Sequence, residues 1–174
     1  MPEQAGRGRL TLVLGGARSG KSSHAESLVT QHPAPWNYVA TAQAFDDEMR
    51  ERIAEHRARR DERWRTADAP LDLADVLTDM PHGQPVLIDC LTLWLSNQML
   101  GEWDIEVESA RLIDILSRPR GPWFVVSNEV GMGIVPDNPL GRRFRDAQGR
   151  LNARAAEVAD EVILMVAGLP MKVK

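Results

Sequence analysis

A three-layer α/β domain, a mostly parallel sheet with helices on both faces, is the fold this sequence predicts. Three observations carry it. Apolar runs of strand length, LTLVL (10–14), PVLID (85–89), WFVVS (123–127) and EVILMV (161–166), are near-continuous rather than alternating, as in strands buried on both faces. Segments of helical spacing separate them, which suits crossover connections between parallel strands. A glycine-rich turn joins the first strand to the first helix, where an open parallel sheet carries its ligand groups.

The elements follow in order. After the strand 10–14 comes a helix over 21–30, a short strand NYVAT (37–41) and a charged helix over 45–60. A helix over 71–80 leads into the strand 85–89, then helices over 91–100 and 106–117, the strand 123–127 and a long helix over 138–159 that takes in Gly141 and Gly149. The strand 161–166 follows, and residues 171–174 suit a short edge strand. No stretch resembles a linker, so residues 10–174 read as one domain and residues 1–9 as a frayed, flexible tail. At 174 residues the chain is long enough to bury a core of ordinary size.

Composition narrows the function. The net charge of −4 argues against a broad nucleic-acid footprint. No apolar run reaches the roughly 18–20 residues that span a bilayer, and the start, MPEQAGRGR, lacks the apolar stretch of a signal peptide. Cys90 is the lone cysteine, so no intrachain disulfide can form, which fits a cytoplasmic location. No His/Cys cluster has zinc spacing.

The chemistry is concentrated in Gly15-Gly16-Ala17-Arg18-Ser19-Gly20-Lys21-Ser22, a full match to G-x-x-x-x-G-K-[ST] between a buried strand and a helix. Glycines let backbone N–H groups turn inward around a phosphate, and the helix N-terminus adds positive potential. Lys21 then reaches the β- and γ-phosphates of ATP or GTP, and Ser22 binds Mg²⁺. Asp89 ends the run Val86-Leu87-Ile88, the place for a second metal-binding carboxylate; the alternative is a cap on the helix that follows.

In the charged helix Phe45, Met49 and Ile53 form an apolar stripe that can face the sheet. Arg52, His56 and Arg60 recur at four-residue intervals, with Arg59 close by, so His56 stands among guanidinium groups suited to phosphates. By spacing alone the plainer reading, a solvated helix face with an incidental histidine, stays open.

Longer tracts are more specific. GGARSGKSSHAE (15–26), YVATAQAFDDEMRERIAEHRARR (38–60), WRTADAP (64–70), VLIDCLTLWLSN (86–97) and the stretch 125–174, with NEVGMGIVP and GRLN in it, closely resemble the bifunctional adenosylcobinamide kinase/adenosylcobinamide-phosphate guanylyltransferase family of cobalamin biosynthesis. The resemblance runs almost end to end. It implies a P-loop NTPase fold with a doubly wound, RecA-like sheet and a propeller-shaped homotrimer. It implies phosphorylation of adenosylcobinamide by ATP or GTP, then transfer of GMP from GTP to that phosphate through a GMP–histidine intermediate. The family histidine falls on His56, in Arg52-Ile53-Ala54-Glu55-His56-Arg57. The family's nucleotide contacts fall on the phosphate loop, on Thr41, Ala42 and Gln43, on Arg57, Ala58, Arg59 and Arg60, and on Asp68 and Asp89. Some relatives carry Glu at the last two positions, one methylene longer.

The other features read more plainly. The NEVGMGIVP loop suits the corrinoid site, a subunit contact or a shaped turn. His24 reads as packing, His32 and His82 as surface, Cys90 as a small buried residue, and the tryptophans as too scattered for a base-stacking platform. Two rivals remain at this point: a P-loop kinase of another metabolite, and a nonenzymatic nucleotide-binding regulator.

Overall fold

The computed structural model describes residues 7–174. β1 (Leu10–Gly15) runs into the glycine-rich turn, and α1 (Lys21–Val29) leaves it. There follow β2 (Trp36–Ala40), α2 (Asp47–Ala58), β3 (Trp64–Asp68), α3 (Leu73–Thr78), β4 (Val86–Asp89), α4 (Leu91–Leu100), α5 (Ile105–Leu116), β5 (Trp123–Asn128), α6 (Pro139–Val158), β6 (Glu161–Val166) and β7 (Leu169–Lys172). They build one seven-stranded sheet in the order β3-β2-β4-β5-β1-β6-β7. Every pairing is parallel except β6 with β7. This is the α/β class expected from the near-continuous apolar strands.

Alternation along the strands divides the core in two. Leu10 and Leu12 of β1, Val86 and Ile88 of β4, and Trp123 and Val125 of β5 face one side, where α3, α4, α5 and α6 cover them with Leu73, Leu77, Leu91, Trp94, Leu112 and Leu151. Val13, Leu87, Phe124 and Val126 face the other side, against Ala25 and Val29 of α1 and the aromatic rings of Trp36 and Tyr38. Burying apolar surface on both faces is what holds a parallel sheet.

Several expectations are corrected. β3 is not among the strands expected: in WRTAD only Trp64 and Ala67 are half-buried and the rest are exposed at the sheet edge, so it lacks the apolar run that marks the inner strands. β7 begins at Leu169, two residues earlier than expected. α6, by contrast, is the long helix expected over 138–159, continuous through Gly141 and Gly149; Asn138 caps it by accepting from the Gly141 N–H at 2.7 Å, and Pro139 occupies its first turn. The tail expectation covered residues 1–9, of which 1–6 lie outside the described residues. Residues 7–9 are held: Arg7 donates to Asp160 at 2.8 Å and to the Ser117 carbonyl at 2.7 Å, and the Gly8 N–H donates to the Pro119 carbonyl at 2.7 Å. His32 is half-buried, with its ring 5.7 Å from that of Phe124, rather than a free surface group.

α2 departs most. None of its residues is buried, and Phe45 lies before the helix, 72% exposed. The stripe does not pack on a sheet face. Met49 and Ile53 instead turn toward a cleft at the C-terminal ends of the strands. Asp46 caps the helix, accepting from the Met49 N–H at 2.8 Å, with Asp47 and Glu48 in the first turn and His56 and Arg57 in the last, as the helix dipole favours.

A buried polar network ties α6 to the tip of β5. Ser127 Oγ donates to Asn152 Oδ1 at 2.6 Å, Gln148 Nε2 donates to both, and Asn152 Nδ2 donates to the Asn128 carbonyl at 2.9 Å. The GRLN tract thus ends in the residue that fixes where β5 gives way to its loop.

Candidate active site

The loop after β1 needs glycine at two points. A Cβ on Gly15 would meet Ser19 Oγ at 2.3 Å, and Gly20 turns into α1 with φ +87°. Arg18 stands at the exposed tip with φ 55°. Lys21 Nζ donates to the Gly16 carbonyl at 3.0 Å, folding back across the loop. Burial lowers the pKa of this ammonium, and the Asp89 carboxylate opposes that. Ser19 Oγ is buried with no protein partner.

β5 lies between β1 and β4, so the loop and the tip of β4 flank it on the same edge of the sheet. Asp89 ends β4 half-buried and accepts from Tyr38 Oη at 2.9 Å on Oδ2. Burial and the Asp89 charge raise the Tyr38 pKa, so the phenol keeps its proton and stays a donor. The cap on α4 is not Asp89 but Cys90, whose Sγ accepts from the Leu93 N–H at 3.5 Å. Burial and Asp89 push the thiol up to about 12, which leaves it neutral. Thr41 is fully buried, and its hydroxyl both donates to the Cys90 carbonyl, at 2.6 Å, and accepts from the Cys90 N–H, at 2.8 Å. Its side chain shapes the turn beneath the site and does not line it.

α2 closes the other wall. The cleft has a volume of about 260 Å³ and is lined by Lys21, Ser22, Ala42, Asp89 and Asn128 on one side and Met49, Arg52, Ile53, His56, Arg57 and Arg60 on the other. Arg60 lies over the Tyr38 ring, 3.7 Å from its centroid, with Nη1 buried and unpaired. Arg57 reaches Asp68 at 3.4 Å, and Arg52 pairs with Glu48 at 2.8 Å. His56 Nδ1 faces Glu26 Oε1 of α1 at 4.0 Å. Burial raises the Glu26 pKa, and the charges of His56 and Arg59 pull it back.

Of the residues expected from sequence, Lys21, Ser22, Ala42, His56, Arg57, Arg60, Asp68 and Asp89 therefore meet in one cleft, while Gly15 to Gly20 form the loop at its edge. Gln43, Ala58 and Arg59 do not line it.

A family model described as cobinamide kinase / cobinamide phosphate guanyltransferase matches residues 11–173. The chain belongs to this family. It is 47% identical over 166 residues to the bifunctional adenosylcobalamin biosynthesis protein CobP of Pseudomonas aeruginosa, covering 94% of this chain and 96% of that one. It is 41% identical over 181 aligned positions to the bifunctional adenosylcobalamin biosynthesis protein CobU of Salmonella typhimurium, covering 95% and 99%. Among solved structures, a protein of Pyrococcus horikoshii OT3 aligns with a TM-score of 0.57 at 10% identity, over 97% of this chain and 87% of that one. A type III secretion system ATPase of pathogenic bacteria aligns with 0.58 at 11% identity, over 95% and 57%. At such identities the structures speak for the fold alone, that of a P-loop NTPase. As a member of the cobinamide kinase / cobinamide phosphate guanyltransferase family, the protein is a transferase of adenosylcobalamin biosynthesis.

In this family member the sequence gives no separate sign of two side chains, Tyr38 in the cleft and Glu26 behind His56. Tyr38 sits inside the short strand NYVAT, and its hydroxyl holds Asp89. Glu26 lies at i+5 from Lys21 on α1, and only the path of α2 brings it to His56.

The donor set suits Mg²⁺. Asp89 has one oxygen engaged by Tyr38 and the other without a protein partner, and the Ser22 hydroxyl lines the same cleft. No three His, Cys, Asp or Glu side chains gather into a metal cage among the described residues. One carboxylate, one hydroxyl and substrate phosphates are the ligands Mg²⁺ ordinarily takes, with waters completing its shell. No helix among the described residues is long and apolar enough to cross a membrane.

Proposed function

We propose that both reactions of the family run in this cleft. Adenosylcobinamide is phosphorylated by ATP or GTP, and GMP is then passed from GTP to adenosylcobinamide-phosphate through a covalent GMP–His56 intermediate. The observation that carries the proposal is the presence of His56 in the same cleft as Lys21, Ser22 and Asp89.

Gly15 to Ser22 bind the phosphates, and Lys21, Arg18 and Arg60 offset the charge that grows on the phosphorus and leaving oxygens. The His56 imidazole forms a bond to the α-phosphorus as the P–O bond to pyrophosphate breaks. An oxygen of the substrate's phosphate then attacks that phosphorus, the P–N bond breaks, and the imidazole is returned. Ser22 and Asp89 would hold Mg²⁺, which neutralises phosphate charge when bound. Arg57 and Asp68, paired across the cleft, suit the nucleoside end; Ala42 lines the cleft there, while Thr41, Gln43, Ala58 and Arg59 act by shaping its walls. Exposed Met132, Ile134 and Val135, in the loop after β5, support a corrinoid approach from that side. A cytoplasmic location, with Cys90 a free buried thiol, and a homotrimer complete the proposal.

The test is incubation with α-labelled GTP and Mg²⁺, followed by denaturing electrophoresis. An acid-labile label on the wild type that vanishes in His56→Ala is expected. A label that persists in His56→Ala removes His56 as the nucleophile.

A further inference from the structure

His56 has two ring nitrogens, and the structure treats them differently. Nδ1 is buried and has no hydrogen-bond partner. It faces Glu26 Oε1 at 4.0 Å, and that oxygen is likewise buried and unpaired. Leaving two polar atoms unpaired is costly away from water, and these two face each other across a short gap. Closing the gap by about 1 Å brings them within hydrogen-bond range. Nε2 is not among the enclosed atoms and is left toward the cleft that His56 lines. The Glu26 side chain is only 17% exposed, so this is an inward-turned carboxylate rather than a solvated surface charge.

We propose that Glu26 is the positioning residue of His56: its carboxylate accepts the Nδ1–H, fixes that tautomer, and leaves Nε2 as the nitrogen that bonds to phosphorus. The inference rests on His56 being the nucleophile. An imidazole with one N–H on a carboxylate is held in orientation, and its other nitrogen becomes more basic. As the Nε2 lone pair forms the N–P bond, the electrons of the breaking P–O bond leave with pyrophosphate. The ring then carries positive charge, and Glu26 lies beside the Nδ1–H that bears it. The opposite assignment fails on charge. With Nδ1 as nucleophile, a carboxylate would stand between the nitrogen and a polyanionic triphosphate.

The test uses the full chain with ¹⁵N-labelled histidine, with His56→Ala identifying the His56 signals. Long-range ¹H–¹⁵N correlation of the free wild type is expected to show the proton of the neutral ring on Nδ1, and Glu26→Ala is expected to lose that preference. After addition of GTP, phosphorus is expected on Nε2. Single-turnover adduct formation is expected to fall about ten- to a hundredfold in both Glu26→Ala and the size-preserving Glu26→Gln, with GTP affinity held within about twofold. A proton on Nε2 in the free enzyme, phosphorus on Nδ1, or an unchanged tautomer and rate in the variants would overturn the proposal. If the wild type forms no adduct, the nucleophile assignment fails, and the free-enzyme tautomer still decides the role of Glu26.

Discussion

Asp89 has one oxygen engaged and one without a protein partner. Oδ2 accepts from Tyr38 Oη at 2.9 Å, which fixes the rotamer, and the other oxygen is left for a cation. Lys21 is the positive side chain nearest in role, and its ammonium is already engaged with the Gly16 carbonyl. Neutralising Asp89 breaks no hydrogen bond of the lysine, though it removes a carboxylate that supports the ammonium charge, and on the proposed site it also takes charge from Mg²⁺. Asp89→Asn keeps an oxygen for Tyr38 and should raise the Mg²⁺ concentration for half-maximal adduct formation about ten- to a hundredfold, the worth of one charge-assisted contact. Titration of Mg²⁺ at saturating GTP measures it. An unchanged Mg²⁺ dependence with collapsed kinase turnover would instead make Asp89 the base for the substrate hydroxyl.

At the scale of elements, the β6 entrance holds the start of β1. Asp160 Oδ2 accepts from the Leu10 N–H at 2.8 Å, the Asp160 N–H donates to the Leu10 carbonyl at 2.8 Å, and Arg7 closes the clamp. Partial burial opposes ionisation of Asp160, but the hydrogen bonds from Arg7 and Leu10 and the charge of Arg7 outweigh it and hold the carboxyl below the usual carboxylate range. A folded pKa below the unfolded one gives stability that is present in full above about pH 4 and lost as pH falls through the folded value. Asp160→Asn should cost about 1 kcal/mol near neutrality, a charge-assisted bond discounted for the half-exposed guanidinium. Urea midpoints of the two proteins should converge well below pH 4; a gap of constant size would deny the electrostatic origin. This clamp also marks what the sequence could not disclose. The inner strands announced themselves as apolar runs, and the phosphate loop by its glycines and Lys21. The hold on Arg7 depends on a partner 153 residues away. β3 had only Trp64 and Ala67 turned inward among exposed neighbours, and α2 carried an apolar stripe whose target, the cleft rather than the sheet, is set by where its connections begin and end. His56 was legible only through the longer tract around it, and Glu26 not at all, because the pairing is between helices.

Across the whole molecule, apolar exposure is uneven. Leu100 at the end of α4, Trp103 before α5 and Leu140 at the start of α6 are each more than half exposed. Met99, Leu100 and Leu140 are common to two adjoining grooves there, which also take in Phe144, Ile105 and Trp103. Contiguous apolar surface of this kind on a folded domain marks an interaction site, and a closed ring of identical subunits covers such a band with no further component. The band lies on the side of the sheet covered by α3 to α6, away from α1, so assembly through it leaves the phosphate loop accessible. Sedimentation should return three times the chain mass of 19.4 kDa at micromolar concentration. Leu140→Glu places charge in the band without touching the core and should shift the protein to a monomer with unchanged far-UV circular dichroism. A wild type that sediments as a monomer throughout the micromolar range would remove the trimer. A Leu140→Glu protein that stays trimeric would move the interface off this band, and the exposed Met132, Ile134 and Val135 of the loop after β5 would be the next surface to charge.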